Sequence, residues 1–358
     1  MQVFTVTNMS NLSSRYRSLT GRSLPDPVYT AGRWSNLLYT TGQWQLDAGQ
    51  DAARVIESDD HLIVVVLDGH SKNTVVSWLR NLRSEDWIQA IEEWHAEKTA
   101  SPIESIERLL ADTDLDTWGS GACCAICLFT RGDEDTAIDV WSVGDCSGGV
   151  LVDDELRIVL EHHTMSMEGE RERVTQMHAN GASPGEPLEE TDSGLVVIEP
   201  LPGSTRPRGT LGPIARTCFY REGRAPACLQ MTRCIGHSGL TGQGCFHAHV
   251  TVSKESDLKV LIATDGVGDM CGVGEIGENC MKSVMTSFND APGVTEWAAQ
   301  RWLGDWDCVI GEKESVQRGL SPDDIGVVCV GSVPTLPTPT LSTKALQATA
   351  NARDSSAS

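Results

Sequence analysis

The chain has 358 residues, 40% of them hydrophobic, enough for one large folded domain or two ordinary ones. Its 28 Lys+Arg stand against 50 Asp+Glu, a formal net charge of −22. That balance argues against general nucleic-acid binding, which needs basic residues to neutralise phosphates. It also means that an anionic substrate must be drawn by a local positive feature, such as a bound metal ion.

Residues 1–40 read as an irregular leader rich in turn formers. Its Arg15, Arg17 and Arg22, with Ser and Thr but no acid before Asp26, resemble an organelle transit peptide in composition; a plain polar leader is the simpler reading. TTGQWQL and HLIVVVL then read as strands. Between 73 and 112, three segments space their apolar residues by three or four, as helices do. The third opens on Ser101-Pro102 with Glu104, a cap and a first-turn proline. From 121 to 161 the chain is β-rich, with Asp153-Asp154 as a hairpin turn. A helix is expected after Ser166, and 180–245 is loop-heavy. Strands return at CFHAHVTV and LKVLIATD, helices at MKSVMTSF and GVTEWAAQRWL, and IGVVCVGSV closes a sheet. The stretch 332–358 is Pro/Thr/Ser-rich without a core pattern and reads as a disordered tail. One domain over 41–331 is the expected organisation.

Twelve cysteines are scattered, several within apolar strands, and the first forty residues hold no continuous apolar signal segment. Reduced thiols in a cytoplasmic or nuclear protein are expected. No stretch has the ~20 apolar residues of a membrane span, so no membrane association is expected. Cys123, Cys124 and Cys127 invite a zinc site, but no second ligand pair is evident, and ACCAICLF alternates like a buried strand. His247 and His249 fall on one face of a strand, expected to be exposed. His162-His163 is assigned a capping or surface role. The tryptophans are assigned to core packing, and Glu92-Glu93 and Glu189-Glu190 to solvated faces.

The acids carry the chemistry. HLIVVVLDGH (61–70) and DLKVLIATDGVGD (257–269) both run from an apolar strand into Asp-Gly. Asp51, Asp68, Asp145, Asp265, Asp269, Asp323 and Asp324 all lie at strand ends or tight turns beside apolar segments. One such acid is usually only a turn residue. Several brought together would raise one another's pKa unless divalent cations neutralised them. Oxygen-only ligands point to Mg²⁺ or Mn²⁺ rather than Zn²⁺. Two such ions can clamp a phosphoryl group for in-line attack, with Asp68 as the bridge, and His70 can protonate the departing oxygen.

These segments resemble the metal-dependent Ser/Thr protein phosphatases of the PPM/PP2C type. The likeness runs from about Gln43 to Val330, with landmarks in the family's order: GQDAARV, VVVLDGH, SGACCAICLF, VWSVGDC, LEHHTMSMEGERERV, LQMTRCIGH, VLIATDGVGDM and RGLSPDDIGVVCV. The resemblance implies an α+β fold, a four-layer αββα sandwich of two antiparallel sheets flanked by helices. It implies two Mg²⁺ or Mn²⁺ ions. Asp68, Asp265 and Asp323 would hold one; Asp68, the Gly69 carbonyl and the Gln50-Asp51 position would hold the other. Asp145 and Asp269 match acids of a third, weaker ion, and His70 matches the proposed general acid. The implied activity is hydrolysis of phosphoserine and phosphothreonine on a phosphoprotein substrate by a metal-bridging hydroxide. The sequence does not reveal the oligomeric state; a monomer is the expectation.

The chain departs from that pattern in four places. Gln50 replaces a usual Glu, so the second ion would bind less tightly. No basic residue precedes Gln50-Asp51 to hold phosphate, and Arg33, Arg54 and Lys72 are poorly spaced substitutes. His237 stands where Asp is usual, and Asp324 where Asn is usual. Two rival readings follow: a pseudophosphatase that binds phosphoproteins as a regulatory module, and a hydrolase of small phosphate monoesters.

Overall fold

The computed structural model describes residues 22–45, 49–164, 231–237, 244–271, 278–303 and 323–332. It also describes parts of 14–20 and 167–176, and the strands 193–198, 216–221, 227–229, 306–310 and 313–317. Most of the expected tail lies outside these residues.

The strands, in chain order, are β1 (Val28–Trp34), β2 (Leu37–Trp44), β3 (Asp51–Glu57), β4 (His61–Ser71), β5 (Ser120–Arg131), β6 (Asp135–Val143), β7 (Ser147–Val152) and β8 (Glu155–Val159). There follow β9 (Ser193–Ile198), β10 (Arg216–Arg221), β11 (Ala227–Leu229), β12 (Ile235–Gly236), β13 (Phe246–Ser253), β14 (Leu258–Ala263), β15 (Trp306–Ile310), β16 (Lys313–Gln317) and β17 (Ile325–Ser332). One sheet has the order β1-β2-β17-β14-β7-β8. The other has the order β13-β6-β5-β4-β3, with β12 added to β5. Their strand pairs are antiparallel. The helices are α1 (Thr74–Asn81), α2 (Ser84–His95), α3 (Pro102–Ala111), α4 (Glu278–Ser287) and α5 (Ala291–Leu303).

Alternation along the strands explains the layers. On β4, Leu62, Val64 and Val66 enter the core shared with Val260 and Ile262 of β14 and Val328 and Val330 of β17. The intervening Ile63, Val65 and Leu67 point the other way, onto Val75, Leu79, Trp87 and Ile106 of α1–α3. On β17, Ile325, Val327 and Cys329 face Met285, Val294 and Ala298 of α4 and α5. The central strands are therefore covered on both faces and read as continuous apolar runs, a pattern more familiar from parallel sheets. Two antiparallel sheets packed face to face with helices outside make the four-layer αββα sandwich.

Local signals are met where they were read. Ser101 Oγ accepts from the Glu104 N–H at 3.1 Å, and Glu104 Oε2 accepts from the Ala100 N–H at 2.7 Å, so the start of α3 is capped from both directions. Asp153 and Asp154 adopt φ of 50° and 62°, the conformation a tight β7–β8 hairpin requires. Cys123, Cys124 and Cys127 are wholly buried in β5.

Three expectations are corrected. The leader is not irregular as far as residue 40: β1 and β2 form a hairpin whose second strand pairs with β17. β1 is an edge strand with few buried positions, so it carries little apolar alternation to read. The loop-heavy stretch contains β9, β10 and β11, which pair as a small sheet of their own. His163 is buried, not superficial: its N–H donates to the Gly144 carbonyl at 2.8 Å, and its own carbonyl accepts from the Thr232 N–H at 2.7 Å. Among the described residues no helix is long and apolar enough to cross a membrane.

Candidate metal centre

The acids converge at one end of the sandwich. Asp51 at the start of β3 pairs directly with Asp68 of β4. Across β4's other edge, Asp68 pairs with Cys123 of β5, whose Sγ donates to Asp145 Oδ1 at 3.0 Å. The second sheet supplies Asp265, which opens a single helical turn after β14. Its N–H donates to Asp68 Oδ2 at 3.1 Å, tying the two sheets together at this point. Asp323 and Asp324 precede β17; Asp324 Oδ2 accepts from the Gln50 N–H at 2.6 Å. Carboxylate oxygens of Asp68, Asp145 and Asp265 all lie within 4.8 Å of one another, a grouping that can hold a metal ion.

The Asp68-Gly69 pair is not a turn. β4 continues through His70 and Ser71, still paired with β5. Gly69 is needed because α1 lies against it: a Cβ there would come within 2.7 Å of Val76 and 2.8 Å of the Gln50 carbonyl. The Gly69 N–H donates to that carbonyl at 3.2 Å, which pins the Gln50-Asp51 segment beside β4.

The acids act on one another's protonation. Burial raises Asp51 well above the usual carboxylate range, and the charges of Asp68 and Asp323 raise it further. Asp68 is raised likewise by burial, then by Asp145 and Asp323. Asp265 is raised by burial, then by Asp68, Asp323 and Asp145. Asp323 is pushed up to about 7, by burial first and then by Asp269. Asp51 Oδ2 is buried without a hydrogen-bond partner. Oxygen-only donors, mutual repulsion and an orphaned buried oxygen fit a hard divalent cation.

Asp145, expected at a third ion, is grouped with Asp68 and Asp265. Asp323, assigned with Asp68 and Asp265, lies outside that triad but near enough to perturb Asp51, Asp68 and Asp265. Asp269 borders it, acting on Asp265 and Asp323. The Gln50 side chain is turned to the Ser71 carbonyl, to which it donates at 3.0 Å.

His70 is held below its ordinary pKa, at about 3, by burial and then by His237, whose ring stacks on it with centroids 4.9 Å apart. It is thus a neutral imidazole at pH 7, with one N–H to offer. Sequence reasoning missed Arg80 of α1. Its guanidinium donates to the Gly49 carbonyl at 2.8 Å and also to the Asp51 carbonyl. No local motif marks it; only the helix's placement against β3 reveals it. Arg54 instead donates to the Leu82 carbonyl and to Ser84 Oγ. Also missed was the Glu170 carboxylate, which accepts from Arg173, Arg233 and Thr232.

No protein-family model matches the sequence, and no curated protein sequence matches it. Solved structures do match. A phosphatase from Toxoplasma gondii superposes with a TM-score of 0.55 at 13% identity, over 86% of this chain and 95% of that one. A serine-threonine phosphatase 2C from the same organism gives 0.51 at 13%, over 86% and 100%. The chain has the PP2C phosphatase fold. A sex-determining protein of C. elegans gives 0.54 at 17% identity; 84% of this chain is covered, and it spans 66% of that protein's length. At these identities the PP2C likeness establishes architecture, and the chemistry rests on the acids described above.

Proposed function

We propose that the chain is a metal-dependent phosphatase acting on phosphoserine and phosphothreonine of protein substrates. The observation that carries this reading is the triad of Asp68, Asp145 and Asp265, drawn from both sheets to within 4.8 Å in a PP2C fold. Asp68 and Asp265, with Asp51 and Asp323 around them, would hold two Mg²⁺ or Mn²⁺ ions, and Asp145 with Asp269 would extend the site to a third. Such ions would polarise the phosphoryl group and activate water for in-line attack. Asp68 is placed centrally, since Asp51, Asp145 and Asp265 all border it. His70 would offer its neutral N–H as a hydrogen bond to the departing oxygen, which would take its proton from water to leave as the alcohol. The Arg80 guanidinium fixes the Gly49–Asp51 backbone that enters the site.

Hydrolysis of p-nitrophenyl phosphate and of phosphopeptides, with Mn²⁺ and with chelator, tests the proposal. Mn²⁺-dependent turnover that Asp265→Ala abolishes supports it. Turnover equal to that of Asp265→Ala would overturn it. Comparable rates on sugar phosphates would shift the substrate class to small monoesters.

One observation favours a second reading. Gln50 occupies a position that the resemblance gives to a metal ligand, and its neutral side chain is committed to Ser71. A weakly loaded second site would leave a phosphoprotein-binding module with slow turnover. Gln50→Glu separates the two readings: a rise in Mn²⁺ affinity and turnover marks an enzyme limited by that ligand.

A further inference from the structure

A second cluster of ligand atoms lies beside the aspartates and has a different chemistry. β12 joins β5 at Gly121 and Ala122, just beyond the point where β6 stops pairing, so the chain segments on either side of β12 are delivered next to the end of β4. His70 of β4 pairs with Gly121 on one edge, and Gly236 pairs with Gly121 on the other. Cys234 and His237 flank the two residues of β12. Ligand atoms of His70, Cys234 and His237 all lie within 4.8 Å of one another.

Three further observations point to a ligand here. First, His237 is 0% exposed, yet its Nε2 has no hydrogen-bond partner, and neither ring nitrogen of His70 has one. A buried polar atom left unpaired is destabilising, and here several share one spot. Second, His237 Nδ1 lies 3.0 Å from the Trp118 carbonyl. A carbonyl only accepts, so Nδ1 carries the proton and Nε2 presents its lone pair inward. A metal-bound histidine characteristically has its other nitrogen anchored in this way. Third, His237 holds φ at 52°, a left-handed conformation that a residue with a β-carbon adopts at a cost. The space is kept open by Gly121: a Cβ there would come within 2.7 Å of His70 Nε2 and 2.8 Å of His237 Nε2.

We propose that His70, Cys234 and His237 form a Zn²⁺ site, distinct from the aspartate centre, with three protein ligands and one open position. Two imidazoles and a thiolate suit zinc, whereas the all-oxygen aspartates suit Mg²⁺ or Mn²⁺. Binding replaces the Cys234 S–H bond with an S–Zn bond and releases that proton to solvent. Ligand atoms must close from their present spacing to about 2.0–2.3 Å from the ion, and the His70 and His237 rings, now stacked at 16°, must turn so that their in-plane lone pairs meet at it. One consequence rests on the phosphatase reading: zinc on His70 withdraws its ring from the departing oxygen, so zinc would inhibit turnover.

Co²⁺ reports the site directly. The metal-free, fully reduced full-length protein should take up one equivalent with a near-ultraviolet sulfur-to-cobalt charge-transfer band and the intense visible bands of four-coordination, and Zn²⁺ should displace it. Cys234→Ser should remove the charge-transfer band, and His237→Gln should weaken Co²⁺ binding by more than the ~10–100-fold typical of a second-shell change. Asp265→Asn, in the other centre, should leave the band intact. Absence of a stoichiometric band in the wild type, or a band unchanged in both Cys234→Ser and His237→Gln, overturns the proposal. Circular dichroism confirms that each variant is folded, and the conservative serine keeps the test valid should His237→Gln fail to fold. If the band is present but no phosphatase activity is found, the zinc site stands and only its inhibitory consequence falls. If activity is present, zinc should inhibit the wild type and spare Cys234→Ser.

Discussion

Asp51 and Asp68 face one another as direct partners across the antiparallel β3–β4 pair, both buried. Like charges in that relation destabilise a sheet, and a third and fourth carboxylate, Asp265 and Asp145, crowd the same spot. A divalent cation at this spot would relieve that repulsion.

Removing one of these charges should therefore trade activity for stability. In chelator, Asp68→Asn is expected to raise Tm by roughly 2–4 °C for each kcal/mol of repulsion relieved. The same change should reduce Mn²⁺-dependent hydrolysis by at least ~100-fold, beyond the usual effect of a residue behind the ligands. Paired thermal melts and phosphatase assays check both halves; a variant less stable in chelator and still active contradicts them.

The pH dependence of stability follows from the same acids. Asp51, Asp68, Asp265 and Asp323 have folded pKa values above their unfolded ones, so the folded state holds extra protons. Their penalty is absent below the ordinary aspartate range, grows as pH rises, and for Asp323 is complete above about 7. Glu170 acts in the opposite sense. Burial alone would raise it, but hydrogen bonds from Arg173, Arg233 and Thr232 outweigh burial and hold it at about 2. Its contribution is present above the ordinary glutamate range and lost as pH falls toward 2. In chelator the aspartates should therefore make Tm fall as pH rises toward 8, while His70, held at about 3, and His163, held at about 4, both by burial first, should lower Tm as pH falls below the ordinary histidine value. Saturating Mn²⁺ should flatten the fall toward pH 8. Melts across pH with and without Mn²⁺ measure it.

Glu170 also anchors the segment that carries the proposed zinc ligand. Arg233 meets it at 2.5 Å and Arg173 at 2.9 Å, and the Arg173 guanidinium reaches on to the Thr232 carbonyl at 2.9 Å. Arg233→Ala leaves Arg173 in place and should cost about 1–3 kcal/mol, read by urea denaturation. Glu170→Gln, which strands two half-buried guanidinium groups, should cost more.

Arg80 grips two backbone carbonyls, those of Gly49 and Asp51, with one planar fork. A lysine ammonium cannot reproduce that geometry. Arg80→Lys should weaken Mn²⁺ binding by ~10–100-fold, as loss of an outer-shell support does, and leave α1 helical. Isothermal titration compares the two proteins; equal affinities would remove Arg80 from the site.

How far the sequence reaches is set by how local each signal is. The Asp-Gly strands and the α3 cap were legible because alternation and capping act over a few residues, whereas the αββα layering was implied by the resemblance of the motifs to the PPM/PP2C family. The β1–β2 hairpin was not: β1 is an exposed edge, and its turn rests on Ser35 at φ 54° rather than on a glycine. Arg80 and Glu170 depend on contacts between elements, Glu170 with Arg233 across 63 positions. His237 was visible as a departure from Asp, but its stacking on His70 arises only when β12 is laid along β5.

Mn²⁺ titration of the metal-free protein, following the electron paramagnetic resonance signal of the free ion, tests the central claim most directly. Saturable uptake by the wild type that Asp68→Asn abolishes and Cys234→Ser retains is the predicted result. A free-ion signal that grows without saturation, or uptake that Asp68→Asn leaves unchanged, would contradict an aspartate-built metal centre.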